Sequence, residues 1–290
     1  MTASVSSFPL QERALLALQA LPPLSPILHR VIASLAHEDV SFAKVAELIE
    51  KDTVLAGNIL KLVNSPLYGL RASVSSVRHA VSLLGVQKLR NAVLGVAAAQ
   101  MWRWLKTPPD WSMSNFNRHS VSVAILADLI AQRLPLKNGN GAFVAGLFHD
   151  LGLLLIAIGL PAQYKQISAF AETEPARIRD VEIEILGTTH ADLSADALSV
   201  WNLPEPIRTA VRYHIRPEAD PDDARLNGIT LSRVLHAADA YIVKIGERCC
   251  GIELGTGDAD QALESLGLGD KISGIISDFD NEFAAIQPYF

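Results

Sequence analysis

The chain has 290 residues, 49% of them hydrophobic, enough to bury a sizeable core in one large or two ordinary domains. A net charge of −6 and a pI near 5.7 exclude a basic field over the whole protein for nucleic acid or anionic membrane, though not a local basic patch. Two adjacent cysteines, Cys249 and Cys250, rule out an ordinary disulfide framework and fit a reducing compartment. Residues 1–9 lack the basic start and long apolar run of a secretory signal, so a cytoplasmic protein is expected. The most membrane-like stretch, residues 146–160, is too short to span, carries a His-Asp pair and ends at Pro161, so no membrane insertion is expected.

Apolar residues recur at three- and four-residue spacing almost throughout, predicting helices rather than strands. Ser41 reads as the cap of a helix over residues 42–51, and Asp52 or Thr53 opens a second over 54–63 that closes at Asn64-Ser65-Pro66. A third begins after Ser75-Ser76 and breaks near Gly85, and a fourth covers 86–104. Lys106-Thr107-Pro108-Pro109-Asp110 then punctuates the chain. A long helix is predicted over 114–134, then a loop at 137–141 and a helix bearing His149-Asp150. Further helices are predicted at 181–186, 191–202, 206–214, 226–246 and 271–286. The fold class is all-α, a multi-helix bundle with a smaller N-terminal helical subdomain. The predicted division is residues 1–105, residues 106–250 built around His149-Asp150, and a C-terminal helical extension over 251–290.

His149-Asp150 lies in the most apolar stretch of the chain, where a carboxylate and an imidazole are costly to bury unless something pairs with them. A metal ion would do so, and so would a hydrogen-bonded Asp-His pair without one. Four further polar residues fall on apolar stripes. His119 shares a face with Phe116, Val123 and Leu126, and His190 opens a helix facing inward through Leu193, Ala197 and Val200. His214 follows Ile207, Ala210 and Val211, and Asp239 lies between Leu235 and Ile242. Each alone reads as a satisfied core residue; together they predict one inner polar cluster. Mixed imidazole and carboxylate ligands suit a divalent transition metal such as iron, manganese, zinc, cobalt or nickel. His119, His149, Asp150 and Asp239 could hold one ion and His190 with His214 a second, the chemistry being metal-activated water attacking a phosphate ester.

The order of His119, the His149-Asp150 doublet and the distant Asp239 resembles the HD superfamily of metal-dependent phosphohydrolases. Leu21-Pro22-Pro23-Leu24-Ser25-Pro26, Val45-Ala46-Glu47-Leu48-Ile49-Glu50-Lys51-Asp52 and Leu60-Lys61-Leu62-Val63-Asn64-Ser65-Pro66-Leu67-Tyr68 are similar to its HDOD branch. So are Ala80-Val81-Ser82-Leu83-Leu84-Gly85, Gly146-Leu147-Phe148-His149-Asp150-Leu151-Gly152, Gly187-Thr188-Thr189-His190-Ala191 and Trp201-Asn202-Leu203-Pro204-Glu205-Pro206-Ile207. The resemblance covers about residues 15–245. It implies an all-helical HD-like fold and regulatory work in bacterial signalling through a protein partner or a nucleotide second messenger, rather than catalysis. The cyclic di-nucleotide phosphodiesterase branch carries a lysine where this chain has Leu153, and leucine supplies no charge for a phosphate. Its paired histidines and Gly-Tyr-Pro signature are replaced by Tyr213-His214-Ile215-Arg216-Pro217, and its acidic ligand aligns loosely with Glu182 or Glu184.

Two functions therefore compete: a regulatory interaction domain, and a metal-dependent phosphohydrolase, for which Arg118 and Arg212 are the basic residues nearest in sequence to the candidate ligands. Residues 42–63 also have the outline of a helix-turn-helix, but Asn58, Lys61 and Asn64 are few readers beside Glu47, Glu50 and Asp52, which argues against DNA. Trp102, Trp104 and Trp111 flank the proline break and are expected to pin the two sides together.

Overall fold

The structure is a computed structural model and describes residues 9–21, 24, 26–33, 46–47, 49–64, 73–102, 104–136, 139–174, 177–226, 229–249 and 257–287. Among the described residues the regular structure is entirely helical. The helices are α1 Leu10–Leu16, α2 Pro26–Ala33, α3 Thr53–Val63, α4 Val77–Met101, α5 Met113–Ala131, α6 Ala142–Phe148 and α7 Leu151–Gly159. They continue as α8 Pro161–Thr173, α9 Ile178–Leu186, α10 His190–Val200, α11 Glu205–Tyr213, α12 Leu231–Lys244, α13 Ala259–Ser265 and α14 Lys271–Ile286.

Side-chain caps set several of these starts. Asp52 caps α3 by accepting from the backbone N–H groups of Val54 and Leu55 at 3.1 and 2.9 Å. Ser76, Ser112, Thr189 and Thr230 cap α4, α5, α10 and α12 in the same way. Replacing Asp52 with alanine is expected to lower stability by about 1 kcal/mol, checked by urea denaturation beside an Asp52→Asn control that keeps the acceptor. The predicted break at Gly85 is a kink within α4, where φ 79° and ψ 164° suit glycine.

The structure corrects several sequence-based expectations. His149-Asp150 is not inside one helix: α6 stops at Phe148, α7 starts at Leu151, and the doublet forms the corner between them. A polar pair in an apolar run thus interrupts the helix instead of riding it. The predicted helix over 226–246 begins only at Leu231, because Thr230 takes the cap position. Val200, expected to face inward, is 64% exposed at the end of α10. Trp104, expected to pin the chain, is 85% exposed. Trp102 does that work: it is buried, donates from Nε1 to Asn117 Oδ1 at 2.7 Å, and meets Phe116 and Phe148 edge-on. Helices α1, α2, α8 and α13 had no individual prediction. The expected cap Ser41 and half of the helix expected over 42–51 lie outside the described residues.

At the centre α5 packs against α6, α12 and α14, while α10 packs against α7 and α11 and α11 against α12. The apolar stretch over residues 139–159 is long enough to cross a membrane, but it is almost wholly buried inside this fold and is broken at the doublet. These contacts bring the middle of α5, the α6–α7 corner, the start of α10, the end of α11 and the middle of α12 to one place.

Candidate metal centre

All six sequence-predicted residues meet at that place, at 0–1% exposure. His119 comes from α5, His149 and Asp150 from the α6–α7 corner, His190 from the first position of α10, His214 from the cap of α11, and Asp239 from α12. Two glycines allow the approach. A Cβ on Gly146 would stand 2.5 Å from Ala124 Cα of α5, and one on Gly152 would stand 2.0 Å from the carbonyl oxygen of His190. Ser194 fastens the second contact, accepting from Gly152 N–H at 2.7 Å and donating to the His190 carbonyl at 2.8 Å.

The four imidazoles are oriented alike. His119 Nδ1 donates to the Glu247 carbonyl, His149 Nδ1 to Gly146 and His214 Nδ1 to Val211, each at 2.7 Å. His190 Nδ1 faces the Glu182 carboxylate at 2.8 Å. A carbonyl can only accept, so each Nδ1 facing one carries its proton and each Nε2 turns inward. Asp150 Oδ2 lies 3.4 Å from Nε2 of both His119 and His149, and its Oδ1 lies 3.5 Å from His190 and 3.8 Å from His214. Asp239 Oδ1 is 3.3 Å from His119 and 3.8 Å from His149. Asp150 therefore stands between the two groups of histidines.

This donor set fits a cation. Both oxygens of Asp150 and of Asp239, with Nε2 of His190 and His214, are buried without a hydrogen-bond partner. His119 Nε2 and His149 Nε2 face each other at 3.2 Å, and two neutral imidazoles already protonated on Nδ1 would oppose lone pairs there. Either a proton or a metal must lie between them. Three triads have ligand atoms close enough to share an ion: His119, His149 and Asp150; His149, His214 and Asp239; Asp150, His190 and His214.

Without an ion, protons do the balancing. Burial opposes charge on His119, yet contact with Asp150 and Asp239 holds it well above the usual imidazole range. The same contest takes His149 up to about 9. His190 is raised by Glu182 against its burial, whereas burial and the charges on His149 and His190 push His214 down to about 3. Burial would raise Asp150 and Asp239, but the neighbouring imidazoles hold both below the usual carboxylate range.

Sequence reasoning offered Glu182 only as a loose match to an acidic metal ligand, and it missed His236 and Glu247 as supporting residues. Glu182 meets His190 Nδ1 rather than the centre, and its signal was legible: it stands four after Ile178 and four before Leu186, on the buried stripe of α9. His236 Nδ1 faces the His214 carbonyl at 2.7 Å, and Glu247 serves His119; both depend on tertiary packing. Glu184, the other loose alignment, is exposed. Arg118 and Arg212 do not stand over the cluster as free cations: Arg118 pairs with Glu247, and Arg212 with Asp192 at 2.8 Å and Asp196 at 2.5 Å.

Residues 21–217 match the HDOD domain family. The chain belongs to that family. An HDOD domain protein of unknown function from Geobacter sulfurreducens is 26% identical, with a TM-score of 0.76 over 97% of this chain and 98% of that one. A Marinobacter aquaeolei VT8 protein, named as a candidate signal transduction protein, shares the fold at 22% identity and a TM-score of 0.71, over 93% of this chain and 60% of that one. An uncharacterized protein of Treponema pallidum (strain Nichols) is 27% identical over 201 residues, 67% of this HDOD chain but 37% of the relative. The chain thus spans little more than a third of that relative's length. Asp239 and Glu247 both lie beyond the matched HDOD segment.

Proposed function

We propose that this chain is a regulatory HDOD signalling protein, acting by binding a protein partner or a nucleotide second messenger around a buried metal centre. The observation that carries this reading is the closure of the cluster: all six residues are at most 1% exposed. Leu153, where related phosphodiesterases carry lysine, is itself buried, and Arg118 and Arg212 are both paired with carboxylates. At 0–1% exposure the cluster offers a phosphate ester no entry, and neither Arg118 nor Arg212 is free to meet its charge.

His119, His149, Asp150 and Asp239 would hold one divalent iron, manganese, zinc or nickel ion, with His190 and His214 available to a second. Such an ion would supply Lewis acidity in an open site; in this closed one the residues that would hold it come from α5, the α6–α7 corner, α10, α11 and α12, so its binding would tie those elements together. The Nδ1 hydrogen bonds fix the tautomers so that no histidine must turn to meet it. A second reading, metal-dependent phosphohydrolase, draws support from the completeness of the His/Asp set and its unpartnered buried atoms.

Elemental mass spectrometry of protein purified without added metal, beside His149→Ala, tests the centre. Near-stoichiometric metal in the parent and none in the variant is expected; no metal even after soaking would remove this part of the reading. The metal-loaded parent is expected to leave cyclic di-nucleotides intact over hours at micromolar enzyme, and metal-dependent hydrolysis would replace the regulatory reading with the enzymatic one.

A further inference from the structure

The chain does not leave the centre when α12 ends. Gly246 turns at φ 93°, Glu247 N–H donates to the Ile242 carbonyl at 3.2 Å, and the backbone folds back toward α5. There the Glu247 carbonyl takes the Nδ1 proton of His119 at 2.7 Å, and its carboxylate pairs with Arg118, the residue before that histidine. Both partners of the ion pair are partly exposed, at 33% and 21%, although the histidine they flank is fully buried. Beyond the turn, α13 packs on α12 and α14 on α5. Surface ion pairs add to the hold: Lys244 with Asp260 at 2.6 Å, Arg133 with Asp278 at 3.0 Å, and Lys88 with Glu282 at 2.6 Å.

We infer that residues 246–249 form a clasp that governs retention of the metal, with Glu247 and Arg118 as positioning residues for His119. This rests on the reading that the centre holds a metal, and it adds which part of the chain controls it. A second partner on a metal-ligating histidine fixes the tautomer and aims the ring, and losing such a partner typically weakens metal binding by roughly 10- to 100-fold. The other histidines take their Nδ1 partners from nearby in sequence: Gly146 for His149, Glu182 for His190 and Val211 for His214. His119 takes its partner from 128 residues away, in a segment outside the matched HDOD region. Docking of the C-terminal extension and metal retention are therefore coupled, and by linkage the coupling runs both ways.

The test uses the full chain loaded with zinc, measuring the rate of Zn²⁺ transfer to a chromogenic chelator together with amide hydrogen exchange. Arg118→Met is expected to speed zinc loss about tenfold while leaving the melting temperature of the metal-free protein nearly unchanged. Arg118→Lys should restore slow release, and zinc should increase amide protection at residues 246–249 in the parent. An unchanged release rate in Arg118→Met, with exchange at residues 246–249 raised, would overturn the clasp. If the parent binds no zinc, the metal reading fails by itself, and hydrogen exchange of the metal-free protein then judges the clasp. Arg118→Met must loosen residues 113–121 and 246–249 together; loosening of the second segment alone would overturn it.

Discussion

Gly152→Ala is expected to cost about 3 kcal/mol, the upper end of the usual overpacking cost, because its Cβ would lie far inside van der Waals contact with a backbone atom that cannot swing away. The clash, 2.0 Å from the His190 carbonyl oxygen, can be relieved only by parting α7 from α10. That movement also breaks the hydrogen bond from Gly152 N–H to Ser194 and shifts His190 relative to Asp150. Gly57→Ala in α3 is the counterpart with opposite sign: nothing lies within 4 Å of its Cβ, so helix propensity alone acts and should add roughly 0.5–1 kcal/mol. Urea denaturation of both variants decides the matter. A Gly152→Ala protein as stable as the parent would show that the α7–α10 contact is looser than this geometry, and would undermine the closed centre with it.

The second large effect is expected at Asp150, whose two oxygens lie 3.4–3.8 Å from four imidazoles. Removing one partner from a buried charge cluster typically costs about 3–5 kcal/mol, since the remaining charges stay buried without compensation. Asp150→Ala should therefore unfold at a clearly lower temperature than the parent, and His149→Ala/Asp150→Ala should lose metal as well. Chelation should separate the two contributions: an ion present at about 100 times its dissociation constant stabilises the parent by roughly 2.7 kcal/mol. A chelator is thus expected to lower the melting temperature of the parent and leave the double variant unmoved. Equal melting temperatures for parent and double variant would end the idea of a buried polar centre. A chelator effect of the same size in both would place the metal elsewhere.

Much of this protein is legible in its residues alone, for a local reason. Helix-period spacing identified the long elements, and side-chain caps such as Asp52 and Ser76 act on N–H groups two or three residues away. The site was legible because ionisable residues on apolar stripes are costly wherever they fall, so His119, His190, His214 and Asp239 marked themselves without knowledge of one another. Tertiary structure decided what no periodicity encodes. It placed the doublet at a corner rather than within a helix, and it seated Asp150 between two pairs of histidines. It turned Trp104 outward while burying Trp102, which found Asn117. It also gave His119 a partner from 128 residues away and committed Arg118 to the same clasp. Stripe and cap rest on interactions within a few residues of the chain, whereas closure of the centre and the fate of each arginine rest on which surfaces meet, and those meetings are set by packing distances that only the folded chain contains.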